Sequence, residues 1–205
     1  MTTYRVTENT WIGGYYEAAI VLGKVTDLDA DQRLRSAIIS VWSNAIFSLK
    51  SDRSLGMDRP VSDLETTDPE TLSGLLGIIS HPTFGDIPCS TIVVREEGED
   101  PYYDWLYIGI PLGGLSEAVP EIGGWPFGDL AGSRKWREPL ENMLSALVMD
   151  VSKSVDFPVA AIGYEVAGLI PDNIIAGNSI DDELNGYVVR KKNSYTYFPT
   201  QNWDV

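Results

Sequence analysis

Two carboxylates stand inside otherwise apolar stretches of this sequence, where an acidic residue is unusual. Glu17 lies within residues 15–20, and Glu165 lies within residues 162–167. If both side chains pointed to the same face of one sheet, each would raise the pKa of the other. Such a pair would suit general acid–base chemistry or cation binding. The alternative is that this face is solvated and that the two carboxylates never meet.

The single histidine and the single cysteine, His81 and Cys89, form a second candidate site. A Cys/His pair can generate an activated thiolate nucleophile. However, Cys89 opens a predicted buried strand, where a lone cysteine usually acts as a small apolar side chain. The flanking residues match no known nucleophile motif. Burial of Cys89 as a structural residue is therefore the favoured interpretation.

No metal ion or other cofactor is predicted. The alternating aspartates of residues 27–31 begin like an EF-hand calcium loop, but Gln32 and Ile38 occupy the positions that require glycine and glutamate. Helix capping by Asp29 explains these acidic residues better. The glycine-rich stretch 123–128 lacks the spacing of a phosphate-binding loop. Its glycines are expected to allow a compact loop.

Aromatic residues concentrate in predicted loops and near the termini. Side chains of this kind anchor protein interfaces, although aromatics that pack over the ends of a sheet produce the same pattern. The predicted interface residues are Trp11, Tyr102, Tyr103, Trp125, Tyr195 and Tyr197.

The charge of the chain restricts its partners. Thirty acidic residues and fifteen basic ones give a formal net charge of −15. The resulting field repels nucleic-acid phosphates and attracts cationic proteins. We therefore predict a basic protein partner and no nucleic acid. The plain alternative is that the charge serves only to keep the protein dispersed.

The sequence also indicates a compartment. One cysteine cannot form a disulfide within the chain, which fits a reducing environment. The first residues lack the basic and then apolar pattern of a signal peptide, and no apolar run reaches the length of a membrane span. We expect a cytoplasmic protein that does not bind membranes.

Hydrophobic periodicity predicts the elements that would position these residues. Apolar side chains recur at helical spacing from Leu34 to Ala45 and from Leu140 to Val151, so that each stretch carries one apolar stripe. Shorter apolar runs bounded by glycine, proline or acidic turns predict strands. The predicted strands are residues 15–22, 72–80, 89–97, 103–111, 159–167, 186–192 and 194–198.

These elements predict an α+β fold in a single domain that spans residues 1–205. We expect one mainly antiparallel or mixed sheet of about six to eight strands, with two long amphipathic helices packed on one face. The opposite face is expected to remain open for contact with other molecules.

Three functions are compatible with this sequence. The first is an acidic binding protein, of which an immunity-type protein that neutralises a basic protein partner is one instance. The second is a small carboxylate-dependent enzyme, or a small-molecule-binding domain, that uses Glu17 and Glu165. The third is a homo-oligomeric structural subunit. Because one histidine and no recognised serine motif leave little material for catalysis, the sequence favours a binding protein over an enzyme.

Overall fold

A computed structural model describes the fold of the chain. The described residues are 9–50, 61–62, 64, 72, 74–96, 102–119, 122, 130–170 and 172–203. They contain one antiparallel sheet of eight strands in the order β2-β3-β4-β5-β1-β6-β7-β8. The strands are β1 (Tyr15–Lys24), β2 (Phe47–Lys50), β3 (Leu75–His81), β4 (Gly85–Arg95), β5 (Tyr103–Pro111), β6 (Val159–Tyr164), β7 (Gly186–Lys191) and β8 (Ser194–Phe198).

Two long helices cover one face of this sheet, as predicted. The helices of the described residues are α1 (Ala30–Trp42), α2 (Leu112–Ala118), α3 (Leu130–Val151) and α4 (Asp172–Ile175). The apolar stripes of α1 and α3 belong to one core cluster, which also contains the even-numbered residues of β1 from Tyr16 to Leu22. Within the described part of the chain, no helix combines the length and apolar character needed to cross a membrane.

Trp42, at the end of α1, fixes that helix over the sheet. Its side chain is 2% exposed, and its indole Nε1 donates a hydrogen bond to Thr91 Oγ1 at 3.0 Å. Its ring meets Phe47 edge to face, with centroids 5.4 Å apart. Gly77 lies directly beneath the indole, where a side chain would collide with the ring. The close approach of helix and sheet therefore depends on a glycine in β3.

The opposite face of the sheet is partly filled from within the chain, which differs from the open face that we expected. Residues 165–184 form what we call the cover segment, and its described residues, 165–170 and 172–184, lie across this face. The cover segment contributes Val166, Ile170 and Ile174 to a second core cluster. The cluster also contains side chains of β5, β1, β6 and β7. On this face, β4 exposes the apolar side chains of Ile92 and Val94.

Several strand bounds differ from those predicted. The strand predicted over residues 89–97 begins earlier, at Gly85, and ends at Arg95. The strand predicted over residues 159–167 ends earlier, at Tyr164, because Glu165 adopts a φ of +46°. A left-handed residue cannot continue a β-strand. The edge strand β2 was not predicted, since its four residues are too few to show a clear alternation of apolar and polar side chains.

Candidate functional site

Glu17 is a buried carboxylate at the centre of the sheet. It lies on β1 between Gly109 of β5 and Gly163 of β6. Its side chain points to the face that the cover segment crosses, and it is 7% exposed. Because its cross-strand neighbours on both sides are glycines, other side chains fill the space beside it: Tyr15 lies over Gly109, and Val166 and Asn185 lie over Gly163. The backbone of the cover segment supplies its hydrogen bond.

A tight turn at the start of the cover segment closes over Glu17. We call it the 165–168 turn. The Glu165 N–H donates to the Tyr15 carbonyl at 2.9 Å, and the Ala167 N–H donates to Glu17 Oε1 at 2.9 Å. The backbone N–H of Gly168 donates a hydrogen bond to the hydroxyl oxygen of Tyr107. Two side chains of the sheet, Glu17 and Tyr107, therefore hold successive residues of the turn.

The surroundings of Glu17 change its affinity for a proton. The pKa of Glu17 is raised from 4.5 to about 7, mainly by burial and to a smaller extent by the nearby negative charge of Glu165. The hydrogen bond from Ala167 acts in the opposite direction, because it stabilises the ionised carboxylate. The net result is a carboxylate that exchanges its proton near neutral pH.

Glu165 reaches the same region from the outside. Glu165 is exposed, and its carboxylate lies over Gly14. A Cβ atom on Gly14 would be 2.5 Å from Glu165 Oε1. The structure thus brings Glu17 and Glu165 close enough for their charges to interact. It does not place them around a common cavity, because the turn covers Glu17 and leaves Glu165 in solvent. This arrangement suits proton binding better than chemistry on a substrate.

His81 and Cys89 are not brought together. Cys89 pairs with Gly77 across β3 and β4, four positions before His81, which corresponds to about 13 Å along the strand. Both His81 nitrogens have other neighbours: Nδ1 accepts the Thr83 N–H at 3.0 Å, and Nε2 lies 3.4 Å from the Pro139 carbonyl. Burial lowers the pKa of His81 and raises that of the fully buried Cys89. Both shifts favour neutral, unreactive side chains.

Two of the predicted interface aromatics make contacts inside the protein. The Tyr195 hydroxyl donates to the Phe157 carbonyl at 3.1 Å and accepts the Phe157 N–H at 2.8 Å. The Tyr197 hydroxyl donates a short hydrogen bond to Glu141 Oε1. Burial is the main cause of the raised pKa of both phenols. These tyrosines join β8 to the body of the protein.

The other predicted interface aromatics are half-buried or lie outside the described residues. Tyr103 packs against the core under the cover segment. Trp11 and Tyr102 are each partly exposed, and the indole Nε1 of Trp11 is buried without an acceptor among the described residues. Trp125 lies outside the described residues. An interface through Trp11 and Tyr102 therefore stays a prediction.

A second buried carboxylate, Glu141 on α3, was not predicted. It is 1% exposed and accepts the Thr200 N–H at 2.8 Å, the Thr200 hydroxyl at 2.7 Å and the Tyr16 hydroxyl at 3.5 Å. The sequence spacing could have predicted its burial, since Glu141 comes three residues before Leu144 and seven before Val148 on the apolar stripe of the helix. With four donors including Tyr197, this carboxylate anchors the C-terminal segment to the helix layer.

The cover segment presents an acidic surface with exposed apolar side chains. Leu169 is 63% exposed and Leu184 is 40% exposed. The start and the end of the segment meet on the sheet, because Val166 and Asn185 both lie over Gly163. Leu169 lies close to the start of the segment in the sequence, and Leu184 is its last residue. Residues 165–184 contain five carboxylates and no lysine, arginine or histidine. The carboxylates are Glu165, Asp172, Asp181, Asp182 and Glu183.

A cleft of about 630 Å³ opens between the loop before α1, residues 154–158 and the end of α4. Arg33 forms its wall and is held by Asp27 and Asp29, each at 3.1 Å, and by the Lys24 carbonyl at 2.9 Å. Asp29 thus binds Arg33 and makes no side-chain cap of α1, which corrects the predicted capping role. The cleft is lined by two arginines, and both are paired within the chain: Arg33 with Asp27 and Asp29, and Arg190 with Asp156.

The described residues contain no group of three or more histidine, cysteine, aspartate or glutamate side chains that could hold a metal ion. Three of their carboxylates are buried. Asp104 forms an ion pair with Arg95 at 2.8 Å, and the other two are Glu17 and Glu141. Comparison of the chain with protein-family models, with curated proteins and with solved structures returned no match.

Proposed function

We propose that this chain is an acidic protein-binding module, and that the cover segment is the surface that engages a basic protein partner. The observation that carries the proposal is the exposure of Leu169 and Leu184 within a run of twenty residues that holds five carboxylates and no basic residue. Apolar anchors within a polar rim are the usual anatomy of a protein-binding surface.

The charge of the surface determines which partner it fits. Opposite charge on the partner accelerates association and suppresses wrong partners, and the net charge of −15 extends this effect beyond the cover segment. A second copy of the chain would bring the same five carboxylates into contact with each other. A basic protein is therefore a better partner for this surface than a homo-oligomer.

An immunity-type protein is one function of this kind. Such a protein acts in the cytoplasm by covering a basic toxin and needs no catalytic group of its own. The position of Glu17 agrees with a role in binding, because the turn that covers this carboxylate leaves no room for a substrate beside it. A carboxylate-dependent enzyme is correspondingly less well supported.

Replacing Leu169 and Leu184 together by serine is expected to weaken partner binding about tenfold or more, since exposed apolar anchors at interface centres often contribute over 1 kcal/mol each. Photo-crosslinking from the cover segment in cell lysate would first identify the partner. Its affinity is then measured from 50 to 500 mM NaCl, and we expect it to fall as salt rises.

The matched control is Leu28→Ser, which changes a fully exposed leucine outside the cover segment and should leave the affinity unchanged. Binding that ignores both salt and the double substitution would contradict the proposed function.

A further inference from the structure

We propose that Glu17 is a proton-operated latch, which holds the 165–168 turn, and with it the start of the cover segment, against the sheet. The latch is the hydrogen bond from the Ala167 N–H to Glu17 Oε1, at 2.9 Å. It forms where Glu17 stands between Gly109 and Gly163. The absence of a side chain on Gly163 lets Val166 of the turn pack directly on the sheet, where a Cβ atom would be 3.0 Å from Val166 Cγ1.

The turn fastens the most exposed leucine of the cover segment. Leu169 follows the turn directly, and its N–H donates to the Val166 carbonyl at 3.1 Å. Val166 itself is 1% exposed and belongs to the core beneath the segment. Opening of the turn would therefore hydrate Glu17, pull Val166 from its core position and displace Leu169. A change at one buried carboxylate thus reaches the proposed binding surface.

The groups that face Glu17 define the direction of the effect. Glu165 in the turn adds a negative charge, Tyr107 of β5 adds a phenol whose pKa is raised by burial, and β6 contributes Gly163. The ring of Tyr15, on β1, lies over Gly109. Among the described residues this neighbourhood contains no cation that would favour the ionised form. Burial of Glu17 beneath the turn outweighs the hydrogen bond from Ala167, which by itself favours the ionised carboxylate. The closed turn consequently binds the Glu17 proton more tightly than an open turn does. By linkage, the proton holds the turn closed, and its loss at higher pH loosens the turn.

Hydrogen exchange of the Ala167 and Gly168 amides tests the latch without any partner. With a closed-state pKa of about 7 and an open-state value of 4.5 for Glu17, the opening equilibrium is expected to rise about 25-fold between pH 5.5 and 8. The measured rates are first corrected for the intrinsic pH dependence of exchange. In Glu17→Gln, which keeps an oxygen acceptor and has no titrating group, the corrected protection should be independent of pH.

A second variant keeps the test decisive if Glu17→Gln folds poorly. Glu165→Gln changes an exposed residue, and by removing the nearby negative charge it should move the titration of Glu17 to lower pH. The ¹³C signal of the Glu17 carboxyl reports that titration directly in the wild type and in this variant. Protection that does not change with pH in the wild type, or a Glu17 signal that titrates near pH 4.5, would overturn the latch.

The consequence for binding rests on the proposed function. We expect the partner to bind more tightly at pH 5.5 than at pH 8, and the Glu17→Gln variant to lose this dependence. The two proposals can fail separately, because the exchange experiment requires no partner and the salt series requires no change of pH.

Discussion

Replacing Glu141 by alanine is expected to lower the free energy of unfolding by about 3–5 kcal/mol, because it leaves several buried donors without their acceptor. The Thr200 N–H, the Thr200 hydroxyl and the hydroxyls of Tyr16 and Tyr197 all converge on this carboxylate. Glu141→Gln should be milder, since it keeps one oxygen acceptor and hydroxyl groups can rotate to accept a hydrogen bond from the amide.

Urea unfolding of the two variants measures this loss, and digestion with carboxypeptidase reports whether the C-terminal segment is released. Glu138→Ala is the matched control, since it removes a carboxylate one turn earlier on the same helix that pairs only at the surface with Arg134. That control should leave the unfolding midpoint unchanged. Equal midpoints for Glu141→Ala and Glu138→Ala would show that the buried network does not stabilise the fold.

Glu17→Gln should raise the free energy of unfolding by about 3 kcal/mol at pH 8. Burial and Glu165 raise the pKa of Glu17 in the folded protein to about 7, above its ordinary value of 4.5. The folded state therefore binds this proton more tightly than the unfolded state. Stability from this group is fully present below pH 4.5, falls as pH rises from 4.5 to 7, and stays low at higher pH. The neutral amide avoids that loss.

The measurement is the unfolding free energy of wild type and variant at pH 5, 6, 7 and 8. The gain from Glu17→Gln should be small at pH 5 and reach its full value above pH 7, whereas Glu165→Gln should recover only part of it. A gain of the same size at every pH would mean that the substitution acts through packing and not through the charge of Glu17.

Two of the buried carboxylates, Glu17 and Glu141, support the ends of the cover segment. Glu17 fastens its beginning through Ala167. At its other end, the Glu183 carbonyl accepts the N–H groups of Gln201 and Asn202 at 3.0 and 2.8 Å. These two residues directly follow Thr200, which Glu141 binds. The acidic surface with its exposed leucines is therefore supported from the core at both ends.

The architecture was predictable from the sequence because its elements have strong local periodicity. The stripes that became α1 and α3 repeat apolar residues over three or more turns, and the central strands are apolar runs bounded by turns. Part of the candidate site was also predictable, since a glutamate within an apolar strand is unusual and this identified Glu17. Cys89 was correctly predicted to be buried.

By itself, the sequence determined the elements, the acidic charge and the unusual position of Glu17. Only the tertiary structure decided that the cover segment folds over Glu17, that Tyr195 and Tyr197 bond inside the protein, and that Glu141 anchors the C-terminal segment. The physical reason is that periodicity follows from neighbours along the chain, whereas these contacts join residues that are 38 to 150 positions apart. Their pairing depends on strand order and register, which no local pattern specifies.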